Sequence, residues 1–168
     1  MQIRYFRFGS CVTLAFLSAI AIAGIEWTNY RGTFPPGAVG SICSEPHPAT
    51  YIAVRSHDEW VSYWESLRPR IGQTMIIAPA SVPQPEVDFS RNIVLVASPG
   101  CKPSGGYTVQ IDSIQQDESG LTVNVVEREP GKGCAVTSTV THPMMQVLIP
   151  QTGMKINFNI VKKIHTCE

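Results

Sequence analysis

The side chains through which this chain could do catalytic or metal chemistry are thinly spread. Its four histidines are His47, His57, His142 and His165. No two of them, and no pair of cysteines, stand at the spacing of a local zinc signature such as HExxH or CxxC. His57 falls in the first turn of a helix as an exposed polar group, His142 precedes Pro143 in an extended turn, and His165 lies two residues before Cys167. No metal and no cofactor is expected. The acidic pairs are no more suggestive: Asp117 and Glu118 belong to a turn, and Glu127 and Glu129 flank Arg128 at a strand end, each most simply a solvated group. Asp88 reads as a turn cap. There is no GxSxG elbow, phosphate loop or dinucleotide fingerprint. A Cys/His hydrolase would need a free thiolate beside an imidazole, which an even number of oxidised cysteines does not leave. A small secreted hydrolase or metal-binding enzyme built on these His and Cys residues is therefore the alternative, and a binding module is the main reading.

What could bind is a pair of loops. The apolar run Ile93 to Ala97 breaks at Ser98 Pro99 Gly100 Cys101 Lys102 Pro103 Ser104 Gly105 Gly106 and resumes as alternating Tyr107, Val109 and Ile111. A polar turn, residues 116–120, leads into Leu121, Val123 and Val125, and that strand ends in Glu129 Pro130 Gly131 Lys132 Gly133 Cys134. Proline and glycine restrict both loops to few backbone shapes. In an up-and-down meander the two loops fall at the same end of the sheet, which predicts a Cys101–Cys134 disulfide and leaves Cys43 to pair with Cys167. It also gathers Lys102, Ser104, Gly105, Gly106, Tyr107, Arg128 and Lys132 into a candidate protein-binding patch, since rigid loops lose little entropy on docking and Tyr and Arg are favoured contact residues.

The elements that must hold this patch are mostly strands. Tyr51 to Arg55 is a first short strand. Ser56 with Glu59 three residues on forms a capping box, Asp58 suits the positive end of the helix dipole, and Pro69 ends the helix. Trp60, Tyr63, Trp64 and Leu67 share one face at helical spacing, which predicts that they plug one side of the sheet. Met75 to Ile77 is a short strand or edge segment among prolines. Beyond Cys134, residues 136–140 alternate valine with threonine and serine and predict a β-branched strand, followed by strands over 144–149 and 155–161. The fold class is α+β: a mainly antiparallel sheet of about seven strands, curled or sandwich-like, with one helix packed on it.

The N-terminus sets the compartment. Arg4 and Arg7 precede Phe8 to Ile25, 18 residues without a charge, and Ala21 Ile22 Ala23 offers a small, x, small cleavage pattern before Gly24. Residues 1–23 are thus a signal peptide or an uncleaved N-terminal membrane anchor, and the protein is periplasmic or extracellular, or held at the inner membrane by that anchor. Cys11 lies too early for lipidation. Residues 24–48, rich in proline and glycine, read as a linker, and residues 49–168 as the domain. Lys plus Arg and Asp plus Glu are both 13, and setting Arg4 and Arg7 aside leaves 11 basic against 13 acidic residues. That balance excludes a nucleic-acid partner and leaves the membrane only the N-terminal segment to touch.

Val87 Asp88 Phe89, then Gly100 with Lys102 Pro103 and Gly105 Gly106 Tyr107, then Pro130 Gly131 ahead of a Val/Thr-rich stretch running into Pro143, resemble the PrcB C-terminal domain family over roughly Tyr51 to Pro150. The family takes its name from an accessory subunit of a bacterial surface protease complex. The resemblance implies an extracytoplasmic, non-catalytic domain that supports a protein partner, a protease among them, and it brings no catalytic residues. The staple between the two loop cysteines is argued from this sequence alone and not from that pattern.

Overall fold

Chain order is β1 (Ala23–Gly24), β2 (Thr28–Asn29), β3 (Thr50–Val54), α1 (His57–Ser66), β4 (Asn92–Ser98), β5 (Thr108–Asp117), β6 (Gly120–Pro130), β7 (Met145–Pro150) and β8 (Ile156–His165). The computed structural model describes residues 23–25, 28–29, 43, 47–67 and 84–167. Six strands of five residues or more replace the expected seven, in two sheets ordered β1-β5-β6-β8 and β2-β7-β4-β3. The two sheets lie face to face and the helix covers the outer face of the second, so the α+β class holds as a three-layer sandwich.

Alternation decides the layers. Ile93, Leu95 and Ala97 of β4, with Val147 and Ile149 of β7, meet Ile111, Ile114, Leu121, Val123 and Val125 of β5 and β6 in the inter-sheet core. The opposite face of β4, Val94 and Val96, takes Trp60, Tyr63 and Trp64 of the helix, so β4 is buried on both sides. A bulge between Ile111 and Ser113 keeps Ile111 and Ile114 both inward, where strict alternation would have turned one of them out. The helix begins as its sequence dictates: Glu59 N–H donates to Ser56 Oγ at 3.2 Å, and Arg55 N–H to Glu59 Oε2 at 2.7 Å. The Trp60 indole N–H donates to the Pro85 carbonyl at 2.9 Å, and Asp88 caps a turn by accepting from Ser90 N–H at 3.0 Å. The Ser90 hydroxyl donates to the same Asp88 oxygen at 2.5 Å, and that bond above all, with the backbone one, holds the Asp88 carboxyl below its ordinary pKa.

Several expectations are corrected. Residues 134–142 form no strand; this stretch must cross from the first sheet to the second and cannot stay in either ladder. Ala23 and Gly24, at the junction of the expected leader and linker, form β1, which pairs with β5, and Thr28 and Asn29 form β2, which pairs with β7, while Ile25 packs on the core. Strands of two residues are too short to show a period. Met75 to Ile77, Pro69 and most of the N-terminal apolar run lie outside the described residues. Among the described residues no helix is long and apolar enough to cross a membrane.

The disulfide pairing also differs. Cys43 joins Cys101, with Cα atoms 5.9 Å apart, and Cys134 joins Cys167 at 5.2 Å. The meander premise failed at β8, which runs parallel to β6 with Pro130 beside His165 and so delivers Cys167 to the Cys134 turn. Two disulfides put the domain in an oxidising, extracytoplasmic setting. Peptide mapping without reduction should recover the pairs Cys43–Cys101 and Cys134–Cys167. Replacing Cys134 and Cys167 together by serine should lower stability by about 3 to 4 kcal/mol in denaturant titration, the loop-entropy value for 33 residues of separation.

Candidate protein-binding end of the sandwich

The two glycine-bearing loops do lie side by side, Gly106 packing against Pro130, but the backbone hydrogen bonds of the first loop go to residues 137 and 141, beyond the second. Lys102 N–H donates to Thr141 O at 2.8 Å and Thr141 N–H returns to Lys102 O at 2.9 Å, while Gly105 N–H donates to Thr137 O at 3.0 Å. The Thr141 hydroxyl adds a bond to Ser104 O at 2.8 Å. On the other flank Cys101 N–H donates to His47 O at 3.1 Å and His47 N–H reaches Cys101 Sγ at 3.2 Å, beside the Cys43–Cys101 bridge. Gly100 has a φ of 76°, and a Cβ there would stand 2.5 Å from His47 O. Only glycine fits that approach.

The expected patch residues cluster at this end. The Lys102 ammonium lies 5.5 Å from the centre of the Tyr107 ring, within cation–π range. Gly106, with φ of 84°, turns the chain against Pro130 and Val136. Arg128 stands opposite Thr108 on the outer face of the first sheet, where its guanidinium donates to Gln110 Oε1 at 3.1 Å. Ser104 Oγ turns inward to Gly105 O at 3.1 Å, and Lys132 sits exposed in the turn two residues beyond Pro130. Sequence reasoning missed what lies next to them: the parallel register sets Lys163 beside Arg128 and Ile164 beside Glu129, and Ile164 is 74% exposed. An isoleucine at the end of the last strand, next to Lys162 and Lys163, was the available signal.

Glu127, expected to be a solvated group, and His142, expected only in an extended turn before Pro143, are both buried. Glu127 shares the inward face of β6 with Leu121, Val123 and Val125, and is only 3% exposed. The Tyr51 hydroxyl of β3 donates to Glu127 Oε1 across the core, tying one sheet to the other. Burial, followed by the Glu127 carboxylate, pushes the Tyr51 phenol well above its ordinary pKa, so it stays protonated and donating. Lys162 is the neighbour of Glu127 on β8. His142 is also buried, its ring stacked on His47 with centroids 5.2 Å apart and planes 6° from parallel. Burial, with His47 adding to it, lowers His142 to about 4, which keeps the ring neutral at physiological pH. Between helix and sheet, the Tyr63 hydroxyl and Gln146 Nε2 both donate to Met144 Sδ, at 3.1 and 3.3 Å.

None of these groups sets a nucleophile against a base: the four cysteines 43, 101, 134 and 167 are oxidised, and the buried carboxylate is satisfied by a phenol. The fold and this end together define a disulfide-stapled extracytoplasmic sandwich with a braced loop platform. Residues 93–150 match the model of the family described as PrcB C-terminal, which bears out the resemblance read from the sequence. The matched span runs from β4 to the end of β7 and holds both loops. No curated protein and no solved structure matches the chain.

Removing the Tyr51 hydroxyl by Tyr51→Phe leaves a buried carboxylate oxygen without its donor and should cost about 1 to 3 kcal/mol in chemical denaturation. Because the folded phenol pKa lies above the unfolded value, its contribution is complete below about pH 10 and is lost as pH rises further. Tyr51→Phe should therefore also flatten the alkaline limb of a stability–pH curve. The opposite sign holds for His142: its folded pKa is depressed, so stability is retained above about pH 6.5 and falls towards pH 4, and His142→Gln should flatten that acid limb in thermal melts.

Proposed function

We propose that this protein is a non-catalytic accessory subunit of a bacterial envelope complex, a protease complex in particular, which it supports by binding a protein partner through the braced loop end. The observation that carries the reading is the pairing of a rigid platform with an exposed contact surface. Loop backbone held by the 102–141 and 105–137 hydrogen bonds presents Lys102, Tyr107 and Arg128, and the last turn of β8 adds Lys163 and Ile164 beside them. A platform ordered before docking loses little entropy on association. An exposed isoleucine flanked by basic groups suits a partner surface that is apolar at its centre and acidic at its rim. Residues 1–23 would deliver the chain across the inner membrane as a signal peptide, or hold it there as an anchor. The hydrolase alternative draws no support from the cysteines in the sandwich, whose sulfurs are committed to bridges.

The test is affinity capture from envelope extract with the wild type, with Tyr107→Ala plus Lys132→Glu, and with Ile164→Asp, each verified as folded by its melting curve. The expected outcome is a partner recovered by the wild type and reduced about tenfold or more in the variants, which corresponds to the ~1.4 kcal/mol of a contact residue. Equal recovery of every captured protein by all three chains would sink the reading.

A further inference from the structure

At the C-terminal end of β8 three potential metal ligands that the sequence scatters are brought together. Cys134, His165 and Cys167 each offer a ligand atom, and these atoms all lie within 4.8 Å of one another. In a tetrahedral zinc-type site two ligands about 2.0 to 2.3 Å from the ion stand roughly 3.5 to 3.8 Å apart, so the third atom needs little displacement. The sulfurs need more, because the Cys134–Cys167 bond holds them together and removes the thiolates that a metal requires. Their Cα separation of 5.2 Å allows the side chains to rotate apart once that bond opens. The backbone around them is set independently of the bridge. Pro130 and His165 are register partners, Gly131 N–H donates to His165 O at 2.9 Å, and Cys134 N–H donates to Gly131 O at 3.2 Å.

We propose that this staple is a redox-gated site for a zinc-like ion. A dithiol reductant of the oxidoreductase class transfers two electrons and two protons to the Cys134–Cys167 disulfide, giving two thiols and leaving the reductant as its own disulfide. Each thiol then loses its proton on binding the ion, and His165 supplies a neutral imidazole as the third ligand. Three protein ligands leave one position open to water or to a donor from another molecule. The ion would tie β8 to the 131–134 turn in place of the disulfide, so the docking end keeps its shape in either redox state.

The experiment is cobalt titration of the full chain after reduction by a phosphine, followed by thiolate-to-cobalt charge-transfer absorption and by far-ultraviolet circular dichroism with and without the ion. Reduced wild type should take up a single equivalent with tetrahedral bands, which Zn²⁺ displaces, and the oxidised chain should show none. Cys134→Ser plus Cys167→Ser, which retains Cys43 and Cys101, should lose the charge-transfer band altogether. His165→Ala should bind measurably more weakly. Should reduction unfold the chain, the ion should restore the native dichroism, because binding and folding are then one equilibrium. A reduced chain with no thiolate band, a band that survives in the double serine variant, affinity unchanged by His165→Ala, or a reduced unfolded chain that cobalt fails to refold would each overturn the proposal.

Discussion

Ten consecutive residues of β8 run parallel to β6, from Leu121 beside Ile156 to Pro130 beside His165. A parallel neighbour cannot be reached by a hairpin, so the chain must leave the sheet and return. Here it leaves through the irregular 131–144 segment, adds β7 to the second sheet, and comes back through residues 151–155. The same excursion closes the inter-sheet core, because β7 carries Val147 and Ile149 into it. The return is braced by Arg55, whose guanidinium donates to Thr152 O and, at 2.7 Å, to Met154 O. One pairing choice thus settles which loops share an end, which cysteines meet, and which side chains of β8 stand free.

The placement of polar groups follows from that architecture. Glu127 is inward because it continues the face of Leu121, Val123 and Val125, and a carboxylate in that position needs a donor. Tyr51, from the strand at the edge of the opposite sheet, supplies it. The pair does for this edge of the sandwich what the Cys134–Cys167 bridge does for its end. His142 and His47 play a comparable part beside Cys43–Cys101, their rings stacked, with the buried His142 held neutral where a charged ring would be costly. Polar and covalent ties therefore surround the loop platform, while Lys132 and Ile164 stay exposed beside it.

The outer face of the first sheet reinforces this division of labour. Asn159 donates to Asn124 at 2.9 Å and Asn124 to Ser113 at 3.0 Å, a hydrogen-bonded amide row across β8, β6 and β5. Such a row satisfies polar groups on the outer face of the sheet without adding apolar surface. Of the exposed apolar residues of β8, Ile160 and Val161 lie at mid-strand beside Val125 and Val126, and Ile164 lies at the loop end beside Glu129.

Much of this was legible in the chain. The helix with its Ser56 cap and aromatic face, the strand character of β4 to β8, the adjacency of the two loops, the turn at Asp88 and the likeness to the PrcB C-terminal family all rest on local patterns of two or 3.6 residues, on proline and glycine, and on short motifs. Those are properties a sequence carries residue by residue. Not legible were the parallel course of β8, the cysteine partners, the burial of Glu127 and His142, the failure of residues 136–140 to form a strand, and the entry of β1 and β2 into the sheets. Each depends on which distant segment arrives as a neighbour, and neighbours are chosen by the closure of the whole core. Residue types and spacing determined what elements this protein has, whereas only the tertiary structure decided which ends of those elements meet, because that choice minimises exposed apolar surface over the entire chain at once.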